Sequence, residues 1–434
     1  MVRKRSLTLS LFLVALVPVL LLSAGSGGAD EDNGRNGGSV SLLTTIPIPG
    51  LVVFDISWVD PNTQLYYLAD RSNAAIEVID ANRDLFVRQI KPAGTQAFKG
   101  FTGDNNTSGP NGVVVSPDGR WLFVTDGNSR VVSIDLATDQ IVGDVHTGGA
   151  AGLRTDELAY DARDGILLVV NNADDPPFAT VITVNTQNGT LTVGPRIMFD
   201  AARGVDATNG AEQPVWDPGT GKFYVSIPEV NCPGGHNTPP TRPCGGGFHE
   251  GAVVRIDPHT SGTVDTPLFS VEFCQPAGLA LGPQQDLLLG CSVVFDTVGK
   301  AWDPSEANPA VPAQVLLDAK TGAIEKRVEG VGGSDEVWFN AGDRRYYTAS
   351  RSDPLGPVLG VIDAESQTLI QLVPTFNTPS TSPAPRGTAH SVAVNPHNNH
   401  VFVPLPPNRI STSICTNGCV AVFGPPKGGQ GGDD

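Results

Sequence analysis

The chain has 434 residues, a formal net charge of −17, 50 glycines and 36 prolines. This acidic balance argues against a nucleic-acid partner, because phosphate backbones are bound by clustered lysines and arginines. The high share of glycine and proline favours many turns over long helices.

The beginning of the sequence is typical of an exported protein. Basic residues at positions 3–5 precede an apolar run over 7–22, and small residues follow over 23–29. This is the layout of a secretory signal peptide, so we expect residues 1–29 to be removed. The protein would then be secreted or periplasmic, with no stable membrane span after cleavage. An uncleaved anchor is the alternative, although a spanning helix needs about 20 apolar residues.

Polar low-complexity segments lie at both ends of the remaining chain. Residues 30–38 read DEDNGRNGG and residues 425–434 read PPKGGQGGDD. Such segments lack the apolar side chains that a packed core needs, so we expect a disordered linker and a disordered tail. The folded domain is therefore expected to span residues 39–424.

One repeat is especially clear. Residues 111–142 read NGVVVSPDGRWLFVTDGNSRVVSIDLATDQIV. Three short runs of β-branched and aromatic residues are separated by the turn sequences SPDG and DGN, and a fourth run begins at Gln140. This pattern predicts four antiparallel strands joined by tight turns.

The order of this unit, with its PDGR turn followed by LFVTD, VVSID and LATDQIV, resembles a blade of the YVTN-repeat β-propellers of bacterial secreted and surface proteins. One meander of four strands cannot bury both of its faces, so it implies neighbouring blades packed around an axis. The fold class is therefore expected to be all-β, a seven-bladed propeller of four-stranded antiparallel blades. Seven equivalent starts support this number: Asp55, Asn111, Asp156, Glu212, Ala277, Asp335 and His390.

The last repeat lacks a fourth strand before the polar tail that begins at residue 425. Residues 41–50 resemble the family's fourth strand, yet no blade precedes them. We therefore expect this N-terminal strand to complete the last blade by pairing with residues 419–423. Closure of this kind would remove both free edges of the sheet.

The connections between strands are distributed unequally between two faces of the predicted disc. The turns between first and second strands, and between third and fourth strands, are short, and strand alternation places them on one face, here called the short-turn face. The opposite, long-loop face carries eight long connections: 91–110, 171–179, 200–211, 228–251, 294–312, 351–357, 376–388 and 404–419. Neutral drift is the alternative, but elaboration of a single face favours a recognition surface.

Six cysteines in an exported chain predict three disulfides. Spacing within the predicted hairpins and insertions favours these pairs: Cys415 with Cys419, Cys232 with Cys244, and Cys274 with Cys291. The alternative for the second pair is a metal site in which His236 and His249 join the two cysteines.

Polar side chains form a column at the start of the innermost strands, where the central channel meets the long-loop face. Crowded carboxylates raise one another's pKa or recruit a cation, and hard oxygen ligands suit Ca²⁺ or Mg²⁺. The alternative is a ring of ordinary solvated strand ends. The predicted metal ligands are Asp55, Asn111, Asp156, Glu212 and Asp335.

Other residues near this mouth are candidates for ligand binding or catalysis. Glu157 and Glu336 occupy the next column, and Arg71 and Arg351 lie in the matching segments ADRSN and ASRSD, where they could hold an anionic ligand. His390 is the histidine of the column and the candidate acid–base group. Surface salt bridges and a structural histidine are the alternatives.

Two functions stay open at this point. The first is an exported binding or scaffold protein that uses its long-loop face for a protein, glycan or small-molecule ligand, as the family resemblance implies. The second is a divalent-cation-dependent lactonase, hydrolase or lyase with its site at the channel mouth, as in gluconolactonase-like and streptogramin-lyase-like propellers. Serine-hydrolase, zincin and nucleotide-binding motifs are absent, so we expect no nucleotide cofactor. We also expect a monomer.

Overall fold

Short strands joined by tight turns make up the fold. The structure, a computed structural model, describes residues 38–232, 250–260, 263–303, 305, 310–375, 390–407 and 414–426. Within these residues the only helices are four single-turn 3₁₀ segments: Gly94–Gln96, Asn105–Thr107, Ala201–Arg203 and Pro283–Gln285. In this part of the chain no helix has both the length and the apolar character that crossing a membrane requires.

Seven four-stranded antiparallel sheets form the blades. The chain begins with β1 (Ser41–Pro47) and then forms blade 1 from β2 (Ser57–Asp60), β3 (Leu65–Asp70), β4 (Ala75–Asp80) and β5 (Leu85–Ile90). Blade 2 comprises β6 (Val113–Val115), β7 (Trp121–Asp126), β8 (Arg130–Asp135) and β9 (Gln140–His146). Blade 3 comprises β10 (Leu158–Asp161), β11 (Ile166–Asn171), β12 (Phe178–Val184) and β13 (Leu191–Met198).

The remaining blades repeat this order. Blade 4 comprises β14 (Pro214–Asp217), β15 (Lys222–Ile227), β16 (Glu250–Ile256) and β17 (Asp265–Glu272). Blade 5 comprises β18 (Pro276–Leu281), β19 (Asp286–Cys291), β22 (Ala313–Asp318) and β23 (Ile324–Glu329), with the small pair β20 (Phe295–Asp296) and β21 (Ala310–Val311) inserted. Blade 6 comprises β24 (Val337–Asn340), β25 (Arg345–Ser350), β26 (Val358–Asp363) and β27 (Thr368–Pro374). Blade 7 comprises β28 (Ala393–Asn395), β29 (His400–Leu405), β30 (Cys419–Gly424) and β1.

The core lies between blades. Successive side chains of a strand point to opposite faces of its sheet, so one strand contributes to two interfaces. In β7, Leu122 and Val124 pack against blade 1, whereas Trp121 and Phe123 pack against blade 3. The described residues form seven hydrophobic clusters, and each cluster joins two neighbouring blades.

The first strand closes the ring, as the sequence predicts. β1 runs antiparallel to β30, with Leu42 opposite Phe423 and Pro47 opposite Cys419. Ile46 of β1 packs in the cluster between blades 7 and 1. The prediction of an all-β, seven-bladed, N-terminally closed propeller is therefore confirmed.

Two of the three expected disulfides are present. Cys274 bonds Cys291 at the open end of the β18–β19 hairpin, and Cys415 bonds Cys419 next to the last strand. The third expected pair, Cys232 with Cys244, lies outside the described residues because Cys244 does, and so does the alternative site with His236 and His249. Disulfides are compatible with an extracellular protein.

The closure can be tested with two substitutions in β1. Ile46 is buried and Leu42 is 44% exposed. We expect Ile46→Ala to lower the free energy of unfolding by about 2–5 kcal/mol, because it leaves a cavity between blades 7 and 1. Leu42→Ala should change it by less than about 0.5 kcal/mol. Urea unfolding of the full chain measures both, and equal small effects would contradict the pairing of β1 with β30.

Candidate functional site

Asp55 is the centre of a buried network of charges at the long-loop end of the channel. Its carboxylate forms an ion pair with Arg71 of its own blade. It also lies 3.0 Å from Nη1 of Arg154, which precedes blade 3, and 3.4 Å from Nε2 of His390, which precedes blade 7. Ring closure thus brings together residues from three blades that are far apart in the chain.

Arg154 belongs to this network, although the sequence analysis predicted no role for it. Its Nη1 atom lies 2.7 Å from Asp156 as well as 3.0 Å from Asp55. A buried carboxylate is costly unless it is paired, so one guanidinium group compensates two acids of the predicted column. Arg154 stands in the sequence LRTDE, two residues before Asp156. A basic residue so close to an acid of the predicted column is the sequence signal for this ion pair.

Asn111 completes what we call the mouth network, which consists of Asp55, Arg71, Asn111, Arg154 and Asp156. The Asn111 amide oxygen accepts a hydrogen bond from Nε of Arg71 at 2.9 Å. Its amide nitrogen donates to the backbone carbonyls of Ser108 at 3.1 Å and Thr155 at 2.6 Å. All five members of the network are buried. The network therefore satisfies most of its polar groups internally.

The other predicted residues lie around this network. Arg351 forms an ion pair with Asp335 at 2.8 Å, and its side chain is 41% exposed. Glu212 is half-buried and lies within the electrostatic reach of Arg154. The ring of His390 stacks on Phe54, with ring centroids 5.0 Å apart. Arg351 is thus partly exposed to solvent, whereas Arg71 is enclosed in the mouth network.

The network separates the pKa values of its two acids. Burial by itself would raise the pKa of Asp55, but Arg71, His390 and Arg154 together hold it well below its ordinary value. Burial raises the pKa of Asp156 to about 7, although Arg154 acts in the opposite direction. Asp55 is therefore the member whose negative charge is best stabilised.

Three further carboxyl groups have raised pKa values. Burial, followed by the charges of Asp156 and Asp335, raises the pKa of Glu212 to about 8. Burial and the charge of Glu336 raise the pKa of Glu157 well above its ordinary range. Burial also raises the pKa of Glu336, although hydrogen bonds from the Ser391 side chain and the Val392 amide oppose this. All three are carboxyl groups for which burial favours the neutral form.

The mouth network bears on the predicted cation site. Asp55 and Asp156 already bind guanidinium groups, and a divalent ion beside Arg71 and Arg154 would meet two buried positive charges. In this arrangement the two aspartates do not fit the role of metal ligands. The described part of the chain contains no group of three or more histidine, cysteine or acidic side chains arranged to hold a metal ion. Binding of Ca²⁺ or Mg²⁺ stays a prediction.

A cavity of about 300 Å³ lies along the innermost strands on the other side of the mouth network. Glu157 and Glu336, each one residue past the column of the mouth, line one part of it. Pro117 and Ala162, which belong to turns between first and second strands, line another part. The cavity therefore extends from the mouth network toward the short-turn face. We call it the channel cavity.

Comparison with known proteins identifies the fold and no family. No family model matches the chain, and no curated protein matches it. The structure is similar to 1671 chains of solved structures. One of them belongs to a crystal structure of the mitotic checkpoint complex, with a TM-score of 0.55 and 11% sequence identity over 95% of this chain and 99% of that chain. At this identity the similarity shows the β-propeller fold alone.

The importance of Arg154 can be measured against Arg351. We expect Arg154→Met to lower the free energy of unfolding by about 3–5 kcal/mol, because it leaves Asp55 and Asp156 buried with less compensation. Arg351→Met breaks a pair that is partly exposed to solvent and should cost less than about 1 kcal/mol. Chemical unfolding of both variants gives the comparison. Similar losses in the two would show that the mouth network is not a buried unit.

The raised pKa of Glu212 predicts a dependence of stability on pH. The folded protein keeps this proton up to about pH 8, whereas the unfolded chain releases it near the ordinary value of 4.5. Between pH 4.5 and pH 8 the folded state therefore binds more protons than the unfolded state. The contribution of Glu212 to the free energy of unfolding is full at low pH and is lost as pH rises through 8.

Glu212→Gln should therefore give a flatter profile of melting temperature between about pH 5 and pH 9. Glu365→Gln is the matched control, because the Glu365 side chain is 75% exposed. Thermal melts across this range test the prediction. A parental slope in Glu212→Gln would rule out Glu212 as its source.

Proposed function

We propose that this protein is an exported, non-catalytic β-propeller that binds a partner protein through its long-loop face. The observation that carries the proposal is the distribution of exposed apolar side chains. Among the described residues, none of the short turns exposes a large apolar side chain. The connections of the long-loop face expose five: Val52, Phe101, Val298, Val311 and Leu355.

The loop that carries Phe101 is firmly attached to blade 2. The Arg130 guanidinium donates hydrogen bonds of 3.2 Å to the backbone carbonyls of Gln96 and Ala97. Phe98 of the same loop is buried, whereas Phe101 is 46% exposed. An exposed aromatic side chain on a fixed loop loses little conformational entropy on binding, which suits a contact residue of an interface.

Two further loops present apolar side chains in the same way. The carboxylate of Asp353 accepts hydrogen bonds from the backbone N–H groups of Leu355 at 2.9 Å and Gly332 at 3.1 Å, while Leu355 is 68% exposed. The carboxylate of Asp296 accepts one from the N–H of Val298 at 2.9 Å, and Val298 is 77% exposed. Apolar loop tips held in place by such turns favour a protein partner.

The mouth network favours a protein over a small molecule on this face. Its charged side chains are buried and already pair with one another, so they are not free to bind a small ligand. The resemblance to YVTN repeats and the signal-like N-terminus support an exported protein of that repeat class, and β-propellers are a common scaffold for protein binding. The enzyme alternative depends on a divalent cation at the mouth. Calorimetric titration of the full chain with CaCl₂ and MgCl₂ tests it.

The test of the proposed function begins with residue-specific photo-crosslinking from positions on both faces and on the outer strands. A partner captured from the long-loop face is then purified, and its affinity is measured directly. We expect Phe101→Ser and Leu355→Ser to weaken binding by about tenfold or more each, because each removes an apolar contact worth at least about 1.4 kcal/mol.

Phe86→Ser is the matched control, because Phe86 lies on outer strand β5 and is 45% exposed. It should leave the affinity unchanged. Crosslinks confined to the outer strands or to the short-turn face would contradict the proposal, and so would equal losses in all three variants.

A further inference from the structure

The channel cavity contains two carboxyl groups that lack a basic partner. Glu157 and Glu336 both line the cavity and are buried. Within the residues that the structure describes, neither forms an ion pair. Oε2 of Glu336 accepts a hydrogen bond from the Val392 amide at 3.1 Å, but its buried Oε1 has no hydrogen-bond partner. A buried polar atom that lacks a partner in the protein and lines a cavity is a position where a ligand gains a hydrogen bond.

The rest of the cavity wall is mainly apolar and rich in aromatic rings. Trp58 and Trp338 line it as an edge-to-face pair, with ring centroids 5.0 Å apart. Tyr160, Trp216 and Phe339 line it as well. The faces of such rings attract positive charge, and their area binds apolar groups. The carboxyl groups and the rings thus favour the same kind of ligand.

We propose that the channel cavity binds a small organic cation, an ammonium group attached to an apolar or aromatic body, with Glu157 and Glu336 contacting the cation. The volume of about 300 Å³ is at the lower end of ligand pockets and fits a molecule of this size. This site is separate from the proposed protein-binding face, since it extends toward the short-turn face.

The composition of the cavity distinguishes this ligand from other classes. An anion would meet two carboxyl groups and no basic side chain among the cavity-lining residues. A bare divalent ion prefers six or more oxygen ligands, and most of this wall is apolar. A neutral apolar molecule would leave Oε1 of Glu336 without a partner. An organic ammonium ion donates hydrogen bonds to the two carboxyl groups, and its positive charge lowers their pKa values and so favours their ionised form. Its apolar body packs against the rings.

The experiment compares three probes of similar size with the full chain: benzylammonium, benzyl alcohol and phenylacetate. Isothermal calorimetry gives the affinities, and tryptophan fluorescence reports occupancy next to Trp58, Trp216 and Trp338. We expect the cation to bind about tenfold or more tightly than either of the other probes. Equal affinities for the three probes, or no binding of the cation, would overturn the proposal without any variant being needed.

Substitutions then locate the site. The double variant Glu157→Gln with Glu336→Gln keeps the size of both side chains and should weaken binding of benzylammonium by about tenfold or more. Glu77→Gln is the matched control, because Glu77 is a buried glutamate of β4 that does not line the cavity. Its carboxyl group accepts a hydrogen bond from the Gln89 side chain. This variant should leave the affinity unchanged. Full affinity in the folded double variant, or an equal loss in the control, would overturn the assignment.

Discussion

Every blade of this propeller has two apolar faces, and each face needs a neighbour. The seven hydrophobic clusters of the described residues each join two blades, so the core exists only as a set of interfaces between blades. The ring must therefore close, and β1 supplies the strand that blade 7 lacks. Hydrogen bonds between two distant chain segments thus support the packing of the whole ring.

Closure has a consequence for the charged residues at the starts of the innermost strands. It brings them close together in a buried place, where unpaired charges are costly. The protein compensates Asp55 and Asp156 with Arg71 and Arg154, and it leaves Glu212 with a raised pKa. A polar column that favours a cation site in the sequence is therefore largely a buried ion-pair network in the folded protein.

This network divides the central channel into two environments. On the long-loop side, ordered loops present exposed apolar side chains such as Phe101 and Leu355. Toward the short-turn side, a cavity combines Glu157 and Glu336 with aromatic rings. The two environments suit different ligands, because a set of loop tips provides a wide contact area whereas a cavity encloses a small molecule. The proposed protein-binding face and the proposed cation site would therefore be independent of each other.

The sequence by itself determined the number of blades, the closing strand and two of the cysteine pairs. These features depend on local patterns, namely the alternation of apolar residues in strands, the residues of tight turns and the spacing of cysteines in hairpins. It also placed the polar column at one end of the channel. Only the tertiary structure decided what these side chains do. Arg154 lies 99 positions from Asp55 in the chain, and the two meet only because the ring brings blades 1 and 3 to a common axis. The same holds for the channel cavity, because its wall takes short runs of residues from the innermost strands of six blades, which only the closed ring brings together.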